Sequence, residues 1–150
     1  MKPITVSIDI AAPAERVWDR ISDIENAART IPAIRSIEIL SETRRGLGTR
    51  WRETRVMFGR EATETMEITG WRPPHEYVAS AASHGSEYRS ALRVTPAGAG
   101  CRLEFEFSAR PVSFAAKVLS FVLAPVMRGA VVKALRADLG AIRAACEAAG

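Results

Sequence analysis

The sequence predicts an α+β fold: one antiparallel sheet with a long C-terminal helix lying across it. Three observations carry this. Met127, Val131, Leu135, Leu139, Ile142 and Cys146 step by three or four residues, which places them on one stripe of a helix within 112–149. Arg128, Lys133, Arg136, Arg143 and Glu147 occupy the opposite face. The middle of the chain alternates apolar and polar residues between short turns, the pattern of half-buried antiparallel strands.

In order, Ile4, Val6, Ile8 and Ile10 alternate with Thr5, Ser7 and Asp9 and give a first strand. Pro13 and Glu15 open a first helix whose apolar face is Val17, Trp18 and Ile21. Asp23 is placed to cap a second short helix over 24–29, ending before Pro32. Six strands follow, near 34–41, 49–58, 61–71, 76–83, 87–95 and 101–109, separated by Gly- and Pro-containing turns. A helix break or kink is expected at Pro125.

With Gly59-Arg60 as a two-residue turn, Phe58 lies opposite Glu61, Arg55 opposite Glu64 and Trp51 opposite Ile68. One face of this hairpin is Thr and ion pairs. The other holds Trp51, Met57, Met66 and Ile68, and with them Glu53, Arg55 and Glu64. Three charges on an inner face are the most informative polar feature of the chain. In the next hairpin Tyr77, Ala79, Ala81 and Ser83 face Tyr88, Ser90, Leu92 and Val94, and the last strand adds Cys101, Leu103, Phe105 and Phe107. The small residues leave room above the sheet, either for close approach of the helix or for a cavity.

At 150 residues a single domain, 1–150, is expected. The net charge of +4 does not by itself argue for an anionic partner. Arg50, Arg52, Arg55 and Arg60 stand without a basic-aromatic motif, so nucleic-acid binding is not expected. Cys101, Cys146, His75 and His84 have no metal-ligand spacing, and neither metal nor cofactor is expected. Ser22, Ser90 and Ser113 lack the context of a nucleophile. MKPITVSIDI reads as a strand rather than a signal peptide, and two unpaired cysteines suit a reducing cytoplasmic compartment. The apolar segment 114–123 has one Lys and no basic face. Packing at the domain's end is the expectation for it, ahead of a lid or a membrane contact.

The motifs Ala12-Pro13-Ala14-Glu15-Arg16-Val17-Trp18, Ile21-Ser22-Asp23, Gly48-Thr49-Arg50-Trp51 and Leu135-Arg136-Ala137-Asp138-Leu139 occur in this order around the predicted sheet. Together they resemble the SRPBCC superfamily of helix-grip (START-like) folds, in its polyketide cyclase/dehydrase and lipid transport branch. The resemblance implies a seven-stranded curved sheet gripping the C-terminal helix. It also implies an apolar cavity for lipids, polyketides or other hydrophobic molecules, with no universal catalytic motif. On that basis Trp51, Glu53, Arg55, Glu64, Met66, Ala81, Tyr88, Ser90, Leu92, Phe105, Val131 and Leu135 are expected to contact a small hydrophobic ligand. Arg55, Glu64, Glu53 and Tyr88 would orient its polar end. No residue is assigned as catalytic. If the chain is a cyclase or dehydratase, Glu53 or Glu64 is the candidate proton shuttle. For Arg55 and Glu64 the alternative is a satisfied ion pair with a purely structural role; for the whole protein it is a protein-interaction module whose cavity is filled by its own side chains.

Overall fold

The computed structural model describes residues 2–57 and 59–148. Seven strands form one antiparallel sheet: β1 Ile4–Ile10, β2 Ile34–Ile39, β3 Arg50–Met57, β4 Arg60–Arg72, β5 Glu76–Ser83, β6 Ser86–Ala97 and β7 Gly100–Pro111. Their spatial order is β1-β7-β6-β5-β4-β3-β2. After β1 come α1, Ala14–Ser22, a 3-10 turn, Ile24–Asn26, and α2, Ala27–Thr30. The chain ends in α3, Phe114–Ala148, which lies on the sheet as the long helix of a helix-grip fold.

Three local expectations change. The second helix is a 3-10 turn running into a single α-helical turn. The Asp23 carboxylate does not cap it; it accepts from the Asn26 side-chain amide at 3.0 and 3.2 Å. The helix does not break at Pro125, which lies inside α3. Proline removes one N–H from the helical ladder. Pro125 sits on an exposed stretch where the Phe121 carbonyl left without that donor is not forced into a dry core.

The β3–β4 register also differs. Trp51 pairs with Met66, Glu53 with Glu64, Arg55 with Ala62 and Met57 with Arg60. The last pair of the hairpin is therefore Met57 with Arg60, and Gly59 in the connection has φ +76°. The expected pairing of Phe58 lies outside the described residues. A shift of two in pairing leaves every side chain on its expected face. On the outer face the Thr54 and Thr63 hydroxyls are 2.8 Å apart and Arg50 lies 3.5 Å from Glu67. The β5–β6 hairpin pairs Tyr77 with Leu92, Ala79 with Ser90, Ala81 with Tyr88 and Ser83 with Ser86, so the expected residues share the inner face while Ser83 does not reach Tyr88. Its turn is His84-Gly85, at φ +50° and +76°, the left-handed pair that closes a two-residue hairpin.

The core fills one end of the molecule. Leu135, Leu139, Ile142 and Cys146 of α3 bury against β1, β7 and α1, among them Ile4, Ile10, Val17 and Leu103. Trp18, Trp71 and Tyr77 pack ring on ring, with centroids 5.1 to 6.5 Å apart. At the other end α3 is held by its start. Val112 N–H donates to the Gly85 carbonyl at 2.7 Å, and the Ser113 hydroxyl accepts from Ala116 N–H at 3.1 Å as an N-cap. Between these anchors the helix passes over the sheet with little packed beneath it.

Candidate functional site: a cavity between sheet and helix

The unfilled space is a cavity of about 650 Å³. Its floor is the inner face of β3 to β7 and its roof is α3 from Ala115 to Ile142. Ile21, Ile24 and Ile31, from the two helices and their connection, close one side. The cause is local. Ala62, Ala79, Ala81, Ser90 and Ala109 supply little volume from the floor, and Ala116, Ser120, Ala124 and Ala134 little from the roof. Large side chains here would have filled the space, as they do at the other end.

All twelve residues expected to contact a ligand line this cavity: Trp51, Glu53, Arg55, Glu64, Met66, Ala81, Tyr88, Ser90, Leu92, Phe105, Val131 and Leu135. Tyr88 stacks on Phe107, with ring centroids 6.1 Å apart. The walls are thus mainly aliphatic and aromatic, with Arg20 entering from α1 and the other charged groups, Glu53, Arg55, Glu64 and Asp138, on β3, β4 and α3.

Among these charged groups the expected pairing is corrected. Arg55 does not pair with Glu64. Its Nε donates to Glu53 at 3.0 Å and its Nη1 to Asp138 at 3.0 Å. The two-residue change of register moves Glu64 from opposite Arg55 to opposite Glu53. Residues 53 and 55 share a face of one strand, so their side chains meet without crossing to β4. Glu64 instead accepts from the Ser83 hydroxyl at 2.9 Å, and Trp51 Nε1–H donates to Glu53 at 3.2 Å. Both partners of Arg55 are well covered: the Asp138 side chain is 4% exposed and that of Glu53 14%.

Asp138 is not in the expected set, though its spacing could have found it. It stands three residues after Leu135 and four before Ile142, on the helical stripe assigned to the core. A carboxylate on such a stripe requires a cation, and Arg55 is the inward-facing one.

Burial raises the Asp138 carboxyl above the usual carboxylate range; the Arg55 charge and hydrogen bond oppose this without cancelling it, and Glu53 adds to it. For Arg55, burial works to lower the guanidinium pKa, but Asp138 and Glu53 together hold it above its ordinary value. Burial, then the negative charge of Glu53 and Asp138, pushes the Tyr77 phenol up. The cluster therefore keeps a permanent cation between two carboxylates, with the Asp138 carboxyl raised by its burial. Among the described residues no three His, Cys, Asp or Glu side chains converge as a metal site.

The family described as "Polyketide cyclase / dehydrase and lipid transport" matches residues 1–147. No curated protein matches the chain in sequence. Among solved structures, TTHA0849 from Thermus thermophilus is 18% identical with a TM-score of 0.82, covering 99% of each chain. The Zhui aromatase/cyclase from Streptomyces sp. R1128 is 20% identical with a TM-score of 0.78, over 97% of this chain and 93% of that one. A START superfamily protein from Mycobacterium smegmatis is 14% identical with a TM-score of 0.74, covering 99% of each. At such identities the likeness is one of fold. The match along almost the entire sequence settles the family: this chain belongs to the polyketide cyclase/dehydrase and lipid transport family.

Proposed function

We propose that this protein binds or carries a small hydrophobic molecule in the cavity beneath α3, in the cytoplasm. The observation that carries the reading is the cavity itself, about 650 Å³ lined mainly by apolar side chains with a charged cluster about Arg55 in its wall. A pocket of that size and lining suits a molecule of a few fused rings or a comparable acyl chain. The driving force is burial of apolar ligand surface, about 25 cal/mol per Å² before the costs of association.

The charged cluster narrows the ligand class. Glu53, Glu64 and Asp138 face the cavity with Arg55 among them, and two of these three carboxylates already occupy that guanidinium. At this cluster a ligand carboxylate would sit beside like charges, with the Arg55 guanidinium already paired, at a cost of several kcal/mol. A phenol, alcohol or amine would donate to these oxygens. The ligand is thus neutral or cationic at its polar end and donates hydrogen bonds, as a hydroxylated aromatic polyketide does. The test is a tryptophan-fluorescence titration with a polyhydroxylated tricyclic aromatic and with its carboxylated analogue. The neutral compound should bind more tightly by about tenfold or more. Tighter binding of the carboxylate, or binding of neither, would overturn the reading.

An enzymatic reading rests on one further observation: the buried Asp138 carboxyl, raised and hydrogen-bonded to Arg55, lines the cavity. It is better placed as a proton shuttle for cyclisation than Glu53 or Glu64. Asp138→Asn with ligand binding intact and turnover of a poly-β-ketone lost would favour it. Equal turnover in both proteins would remove it.

A further inference from the structure

We propose that the outward face of the first half of α3 docks on an anionic lipid bilayer. The surface is observed independently of any ligand; its use in delivering one rests on the carrier reading above. Phe114 is 82% exposed, Phe121 87% and Val126 75%, and Val118 and Val122 are exposed beside them. At 100° per residue Phe114, Val118, Phe121, Val122 and Pro125 fall on one side of the helix. The most apolar 18-residue window of α3 has a mean hydropathy of 1.7, yet only 6% of it is buried. The expected packing of 114–123 at the domain's end is therefore not what the fold provides. Ala116, Leu119, Ser120 and Leu123 line the cavity, while Phe114, Val118, Phe121 and Val122 are exposed outside it. A contiguous apolar face of this kind marks an interaction site.

Charge identifies the occupant. From Phe107 to Ala137 the chain has Arg110, Lys117, Arg128, Lys133 and Arg136 and no acidic residue. Arg110 is paired with Glu87 on the sheet. Lys117 and Arg128 are exposed and border the apolar stripe. Arg128 donates to the backbone carbonyls of Lys2 and Pro3 at 3.2 and 3.4 Å, which brings the N-terminal segment to the same edge. Two copies meeting through this face would set cations against cations with no carboxylate on the stripe to receive them. An anionic lipid surface complements both parts: headgroups meet Lys117 and Arg128, and the Phe and Val side chains enter the acyl boundary with the helix lying in the plane of the interface. Ala116, Ser120, Ala124 and Met127 on the underside of the same turns line the cavity. A docked molecule would hold its cavity one helix thickness from the bilayer.

The test is co-sedimentation of the full chain with vesicles of phosphatidylcholine alone and of phosphatidylcholine with phosphatidylglycerol, with no ligand added. The expected result is binding to the anionic vesicles, about tenfold or more weaker on neutral ones or in Lys117→Glu/Arg128→Glu. Phe114→Ser/Phe121→Ser/Val122→Ser should abolish sedimentation while keeping the thermal transition and the aromatic-ligand titration of the parent. Binding to neither vesicle, or to both equally, overturns the proposal. A dimer in analytical ultracentrifugation that the triple Ser variant dissolves overturns it too, and gives the face to a second copy. Since vesicles are read without ligand and ligand without vesicles, docking and carrying fail separately.

Discussion

Arg55 holds two carboxylates from different elements, Glu53 on its own strand and Asp138 on α3, and so ties sheet to helix across the cavity. Breaking a buried pair costs more than the pair contributes, because a charge is left without a partner. Arg55→Met should therefore lower stability by about 3 kcal/mol at neutral pH, read by urea unfolding. Asp138 gives this a pH signature. A carboxyl raised in the fold binds its proton more tightly there than in the unfolded chain. Its contribution is present at low pH and is lost as pH rises from the ordinary 3.8 through the raised folded value. In unfolding measurements across that window, Asp138→Asn should gain stability relative to wild type as pH increases. A difference that is flat or falls with pH would mean that pairing with Arg55, not burial, governs this carboxyl. This residue scale is the least legible in the sequence. Alternation marks Glu53, Arg55 and Glu64 as inward, but alternation is blind to a slip of two, so it misassigns the partner of Arg55. Asp138 is hidden in an apolar stripe because spacing alone does not say which polar residue has a partner across the fold.

α3 is one helix with two environments. Its second half is core: Leu139 is 1% exposed and Cys146 fully buried. Its first half is a roof whose outer side chains touch little. The same kind of truncation should then give opposite results along one element. Leu139→Ala should cost about 2–5 kcal/mol, and Val118→Ala should stay within about 0.5 kcal/mol, both by chemical denaturation. Comparable losses at the two sites would show that the first half packs as core. The roof is held at its start by Ser113, so Ser113→Ala should cost about 1 kcal/mol through the lost cap. Gly85 lies so close to the Ser113 side chain, at a left-handed φ, that a Cβ there would have to displace it. Elements are well legible: seven strands, α1 and the long helix follow from periodicity and turn residues. The uninterrupted course of α3 through Pro125 is not, because proline's cost depends on whether the freed carbonyl meets solvent, a property of the fold and not of the dipeptide.

At the scale of the molecule, volume is distributed unevenly. Aromatic and branched side chains fill the end where α1, β1 and the C-terminal half of α3 meet, while Ala and Ser hold the other end open. The alternation of small residues on β5 and β6 makes room above the sheet readable in advance. Whether helix or cavity takes that room is not readable, since it depends on how far apart the two anchors hold α3. The central claim is that this space belongs to a ligand, and native mass spectrometry of protein purified from a lipid-rich lysate tests it most directly. The account predicts a one-to-one apolar adduct on the wild type, absent from a folded Ala81→Phe variant in which the added ring takes the ligand's place. A bare protein mass for the wild type, with no rise in melting temperature when neutral aromatic or lipid ligands are supplied, would contradict it.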